Sequence, residues 1–152
     1  MEYLSRSASQ TKRIGKDLAK HLLKKHKSGP LVVGLEGDLG GGKTTFLQGF
    51  AEGLGIKEKI LSPTFIIMRA FQIPKSRSSS FSRFYHIDCY RVKKPKELSI
   101  LGFGEIVADP KNIVAIEWAG RVKRILPKNM TSLKFKFVGQ NSRKIIISQE
   151  ND

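Results

Sequence analysis

Val32-Val33-Gly34-Leu35-Glu36-Gly37-Asp38-Leu39-Gly40-Gly41-Gly42-Lys43-Thr44-Thr45 decides how the rest of the chain is read. An apolar, β-branched run crosses a glycine-rich turn and continues into Phe46-Leu47-Gln48-Gly49-Phe50-Ala51, which reads as a helix. Gly37 to Thr44 fits G-x-x-x-x-G-K-[ST], the phosphate-binding P-loop, in its strand–loop–helix setting. Glycines allow positive φ, so that successive amide N–H groups can turn inward around phosphate oxygens. The helix that follows offers its unpaired N–H groups to the same anion. Lys43 brings a mobile charge to the outer phosphates, and the Thr44 hydroxyl is suited to Mg2+. The stretch therefore predicts binding of a nucleoside triphosphate, with Asp38, Leu39, Gly40, Gly41, Gly42, Lys43, Thr44 and Thr45 around it.

Working outward, 152 residues favour one domain, residues 1–152, with a sizeable core. The 28 Lys and Arg against 13 Asp and Glu leave a net charge of +15. That excess suits RNA or an acidic protein partner, but the lysines are scattered, which equally suits a solvated basic surface. One cysteine, Cys89, excludes an internal disulfide and a cysteine metal cluster. The first residues, Met1-Glu2-Tyr3-Leu4-Ser5-Arg6, lack the basic-then-apolar profile of a signal peptide. No apolar stretch approaches the ~20 residues that span a bilayer. The expectation is a cytoplasmic protein with no membrane association.

Upstream of the loop, Ser7 and Gln10 stand at capping-box spacing, and Ile14, Leu18, Leu22 and Leu23 make one helical stripe. Lys24 to Lys27 suit the end of that helix, and Ser28-Gly29-Pro30 stops it. Downstream, the loop helix should run to about Leu54. Phe65 to Ile73 and Phe81 to Asp88 read as a hairpin, joined by a basic, serine-rich connector at 74–80 that suits a solvated loop tip. Lys96 to Phe103 reads as a short helix ending near Gly102, and Val122 to Pro127 as another. Ile113-Val114-Ala115-Ile116-Glu117-Trp118 reads as a buried central strand. Leu133 to Val138 and Lys144 to Ser148 form a second hairpin.

A P-loop enzyme needs a carboxylate near its metal, usually at the end of a buried strand. Glu117 is the first candidate, for catalysis and as a metal ligand beside Thr44; an acid that only ends a strand is the plainer alternative. Asp88, within His86-Ile87-Asp88-Cys89-Tyr90-Arg91, is the second, suited to holding or deprotonating an attacking water, or to a surface pair with Arg91. His86 alone says little. Ser62 and Thr64 flank Pro63 in a loop where hydroxyls could meet a γ-phosphate.

Taken in order, Gly37-Asp38-Leu39-Gly40-Gly41-Gly42-Lys43-Thr44-Thr45, Ser62-Pro63-Thr64-Phe65, His86-Ile87-Asp88-Cys89-Tyr90-Arg91 and Ile116-Glu117-Trp118 resemble the TsaE (formerly YjeE) family over nearly the whole chain. The resemblance implies an α/β fold, a P-loop NTPase-like, mostly parallel sheet flanked by helices with β-hairpin additions. It implies ATP and Mg2+, with Thr44 and Glu117 near the metal, Lys43 on the phosphates, Asp88 as the family's catalytic aspartate and Thr11 near the nucleotide base. It implies TsaD and TsaB as partners, with tRNA reached through that complex, and ATP hydrolysis in support of threonylcarbamoyl transfer to adenosine 37 of tRNA. Gly41 stands where the family more often has alanine, Cys89 replaces a larger apolar residue, and Ala119-Gly120 stands where Pro-Glu is common. Two other classes remain open on the residues alone. A small-molecule P-loop kinase would use Arg121 and Arg124 as lid residues and would phosphorylate a small alcohol. A nucleic-acid module would bind tRNA without ATP, with affinity falling steeply as salt rises.

Overall fold

The computed structural model describes residues 1–37, 42–61 and 67–149. Asp38 to Gly41 of the loop and Ser62 to Phe65 of the second motif lie outside the described residues. The elements run β1 (Glu2–Ser5), α1 (Ala8–Lys25), β2 (Leu31–Gly37), α2 (Lys43–Gly53), β3 (Met68–Gln72), β4 (Arg83–Asp88), α3 (Lys96–Ile100), α4 (Phe103–Ala108), β5 (Asn112–Glu117), a 3-10 segment (Ala119–Ile125), β6 (Thr131–Phe137) and β7 (Arg143–Gln149).

The seven strands form one sheet in the order β1-β7-β6-β2-β5-β4-β3. β4, β5, β2 and β6 run parallel at its centre. The two predicted hairpins flank this centre, β3 antiparallel to β4 at one edge and β6 antiparallel to β7 on the other side, where β1 adds the edge strand. The expected α/β architecture is the observed one: a parallel centre with hairpin additions. Alternation sorts the central side chains. Val33, Leu35, Phe84, Ile113 and Ala115 pack with α1 and α2, whereas Val32, Ile87, Val114 and Ile116 pack with α3, α4 and the 3-10 segment.

α1 begins as its spacing predicts. Ser7 Oγ accepts the Gln10 N–H at 3.0 Å, but the Gln10 side chain reaches one residue further back than a capping box, to the Arg6 N–H. The helix ends after Lys24 and Lys25, as expected, and Leu18 and Leu22 of the stripe are buried. Four readings need correction. β1 went unread because Glu2, Tyr3 and Leu4 are exposed on an edge strand and carry no burial pattern. α4 went unread because Gly102-Phe103-Gly104 resembles a stop; Gly102 instead takes φ 83° and starts a new helix. The first of the two helices expected from 96 ends at Ile100, and the last begins earlier than expected, at Ala119, with 3-10 geometry.

α1 and α2 approach through glycines. A Cβ built on Gly49 would lie 1.8 Å from the Lys12 carbonyl oxygen, and one on Gly15 would lie 2.2 Å from that of Phe46. Backbone cannot yield as a side-chain tip can. Gly49→Ala is therefore expected to destabilise the fold by about 1–3 kcal/mol or more through overpacking. Gly104→Ala, whose Cβ would meet nothing within 4 Å, should be neutral or stabilising by about 0.4–1 kcal/mol. Urea unfolding of the two variants checks this pair of opposite signs.

Candidate functional site

Parallel pairing brings three strand ends to the carboxyl edge of the sheet, the usual ligand position of open α/β folds. Leu35 of β2 pairs with Glu117 of β5, and Glu117 pairs with Asp88 of β4. The predicted acids are therefore neighbours, beside the strand that feeds the loop. Gly37 opens the loop at φ 145°, where a Cβ would lie 2.6 Å from the Phe135 carbonyl oxygen. Gly42 closes it at φ 94° and caps α2 with no side-chain hydrogen bond. Gly42 has no side chain to cap the first turn, and the amino end of a helix is a position that favours an anion.

Lys43 is only 5 % exposed, and its Nζ donates to the Gly37 carbonyl at 2.5 Å, from one end of the loop to the other. The same Nζ lies 4.7 Å from the Trp118 ring centroid. Trp118 reaches that position through a left-handed backbone, φ 57° and ψ 43°, uncommon for a bulky residue. Its N–H is fixed by the Leu35 carbonyl at 2.9 Å. Arg121 lies over Trp118 at 5.4 Å and over Tyr90 at 5.7 Å, and the two rings are 5.2 Å apart. Glu36 accepts the Gly120 N–H, joining the start of the loop to the turn after Trp118.

Glu117 is 3 % exposed, and its Oε2 is hydrogen-bonded to His86 Nε2 at 2.7 Å. Asp88 is half-buried and accepts the Tyr90 N–H at 2.9 Å. Burial raises its pKa above the ordinary carboxylate value; the Tyr90 hydrogen bond opposes this, the Glu117 charge adds to it, and His86 and Lys43 oppose it. Asp88 lies on the same face of β4 as His86 and next to Glu117 of β5. Its paired neighbour is thus Glu117, not the Arg91 side chain. Cys89 lies on the opposite face, wholly buried, and burial first of all pushes its thiol up to about 12, which makes it inert.

Thr11 is buried against Ser5, with 2.6 Å between hydroxyls. The single Ser5 hydrogen goes to the Ser7 carbonyl, so Thr11 is the donor of that pair. Its methyl carbon would be 3.6 Å from a Cβ on Gly42, and Arg143 Cγ 3.9 Å from the same point. Thr11 and Arg143 therefore flank the end of the loop. Among the described residues no group of three or more His, Cys, Asp or Glu side chains could hold a metal. Mg2+ takes one or two protein oxygens together with substrate phosphates, and the Thr44 hydroxyl and the Glu117 carboxylate are the oxygens that could hold it.

The fold places Glu117 and Asp88 side by side at the carboxyl edge of the sheet, with Lys43 and Thr44 in the first turn of α2. Trp118 and Tyr90 entered the sequence reading only as members of motifs and Arg121 only as a lid residue of the kinase alternative; Arg143 was not read as a site residue. The one available signal was period two in β4, which puts His86 and Asp88 on one face. Arg124 is exposed in the 3-10 segment, away from the ring cluster that holds Arg121.

The family model described as Threonylcarbamoyl adenosine biosynthesis protein TsaE matches residues 5–145. A tRNA threonylcarbamoyladenosine biosynthesis protein TsaE of Borreliella burgdorferi is 42 % identical over 115 residues, covering 72 % of this chain and 79 % of its own. The protein of that name from Rickettsia prowazekii is 34 % identical over 146 residues, 95 % of this chain and 92 % of its own. The crystal structure of Bacillus subtilis YdiB superposes with a TM-score of 0.71 at 28 % identity, over 99 % of this chain and 86 % of that one. No helix among the described residues is long and apolar enough to cross a membrane.

Proposed function

The chain belongs to the TsaE family of threonylcarbamoyladenosine biosynthesis proteins, and we propose that it is a cytoplasmic, magnesium-dependent ATPase that binds the TsaD–TsaB pair. Its hydrolysis of ATP would support threonylcarbamoyl transfer to adenosine 37 of tRNA. The observation that carries this reading is that Asp88 pairs with Glu117 at the carboxyl edge of the sheet and feels the charge of Lys43, the first residue of α2. The N–H groups of Lys43, Thr44 and Thr45 hold phosphate oxygens, and Lys43 Nζ moves from the Gly37 carbonyl to the charge that builds on the γ-phosphate. Bound through Thr44 and Glu117, Mg2+ would neutralise the outer phosphates. Asp88, with its pKa raised by burial, is a better proton acceptor than an ordinary surface carboxylate and takes the proton of the attacking water. Thr11 and Arg143 bound the loop on the side where the rest of the nucleotide would extend.

Arg121 is engaged by stacking over Trp118 and Tyr90 rather than offered to a transferring phosphate. A site that a partner completes is the natural consequence. The test is ATP turnover with Mg2+, with and without the TsaD–TsaB pair. Slow turnover that rises at least tenfold with the pair supports the reading. Fast turnover unchanged by the pair, or phosphoryl transfer to a small alcohol, would overturn it.

A further inference from the structure

His86 is fully buried and spends one ring nitrogen on the site acid. Its strand position explains the reach. His86 pairs with Ala115, whose single methyl leaves room for the imidazole, and Glu117 lies two residues further along β5 on the same face. The other ring nitrogen, Nδ1, is buried with no hydrogen-bond partner among the described residues. An ionised carboxylate only accepts, so the nitrogen that faces it carries hydrogen. A hydrogen on Nδ1 would leave a buried N–H with nothing to bond, which is costly. Nε2 therefore carries hydrogen, and the ring is a fixed donor to Glu117 Oε2. Among the described residues no other hydrogen bond to that carboxylate is present. The histidine thus occupies one oxygen of Glu117 and leaves the second as the atom with which the acid can act.

We propose that His86 is a positioning residue for Glu117: its Nε2–H sets the orientation of the carboxylate and so determines how well that carboxylate serves Mg2+. The proposal rests on Glu117 as the metal-side acid of the ATPase reading. A histidine needed only to fill the core would be met by a backbone carbonyl or by packing. This one is tied to the one acid that closes the central strand. Groups that orient a metal-binding side chain typically change metal affinity or activity 10–100-fold when removed.

The experiment compares the native protein, His86→Leu and His86→Gln. Leu removes the donor and keeps apolar bulk; Gln restores an N–H at about the Nε2 position. Two readouts are taken: binding of a fluorescent ATP analogue in EDTA, and the Mg2+ concentration that half-saturates hydrolysis with the partner pair present. Binding in EDTA should be equal within twofold for all three. Half-saturating Mg2+ should rise about 10–100-fold in His86→Leu. In His86→Gln it should return to within about threefold of native. A packing role would lower the folded fraction and leave the Mg2+ requirement of the remaining enzyme unmoved, so an unmoved value in folded His86→Leu overturns the proposal. Imidazole 15N shifts of the native protein keep it testable should the Leu variant not fold. Hydrogen on Nε2 supports it, and an Nε2 without hydrogen overturns it. Native protein that hydrolyses no ATP at any Mg2+ level overturns the ATPase reading and this role together, whereas native hydrolysis with an unmoved Leu variant overturns the role alone.

Discussion

Lys43→Ala is expected to lower ATP turnover by about 10²–10³-fold, the cost of losing one preorganised charge at a transition state. The ammonium is held almost out of solvent between the Gly37 carbonyl and the Trp118 ring. Arriving phosphates therefore gain a charge already stripped of most of its water. The loss should appear in affinity too, by about 1.5–3 kcal/mol, the worth of a hydrogen bond to a charged group. Alanine suits the first turn of α2, and the melting temperature of the variant reports folding separately from turnover. Trp118 is the only tryptophan of the chain, so its emission reports this site alone. Adding ATP to the native protein should shift that emission as the cation leaves the ring. Lys43→Ala should start from a different emission and show a smaller change. Turnover within threefold of native in a folded Lys43→Ala protein would remove Lys43 from the mechanism.

How much of this was legible before the fold depends on whether the information is local. Lys43 and Thr44 are, because a glycine-rich turn between an apolar run and a helix has few other physical solutions. Glu117 is nearly so, since an acid that closes five buried residues must sit at a strand end. Asp88 needed the fold: its place beside Glu117 is a fact of parallel register, not of spacing. The His86–Glu117 bond spans 31 residues and depends on Ala115 being small, which no local pattern marks. The ring cluster was further out of reach. It depends on the left-handed backbone of Trp118, and the pattern gives no sign that a bulky residue will adopt it. The close contact of α1 with α2 through Gly15 and Gly49 was invisible for a related reason: a glycine within a helical stretch signals weakness locally, and only the partner helix turns it into a fit.

Asp88→Asn should separate chemistry from stability. Asparagine keeps the Oδ1 that accepts the Tyr90 N–H, so the turn after β4 is retained. It cannot accept a proton from water, and the loss in kcat with the partner pair should be about 10²–10⁴-fold, the range for a positioned acid or base. The pH dependence carries the more specific claim. Burial, helped by the neighbouring Glu117 charge, raises the Asp88 pKa in the folded state, so its proton leaves at higher pH than from an exposed aspartate. The acidic limb of kcat/KM, which reports groups of the free enzyme, should therefore lie above the ordinary carboxylate value of about 3.9, and Asp88→Asn should remove it. The sign of the stability effect follows from the same shift. A carboxyl whose folded pKa is raised costs nothing below its unfolded pKa, where both states are protonated. It becomes a burden as pH rises through the folded pKa, where the half-buried group must ionise. Asp88→Asn should then melt at or above the native temperature at pH 7 and lose that advantage at acid pH. A residue that served only to hold the strand end together would do the opposite, losing stability at neutral pH along with activity. An inactive variant that melts lower than native at pH 7, with its acidic limb unmoved, would therefore show that Asp88 supports the site without handling the proton.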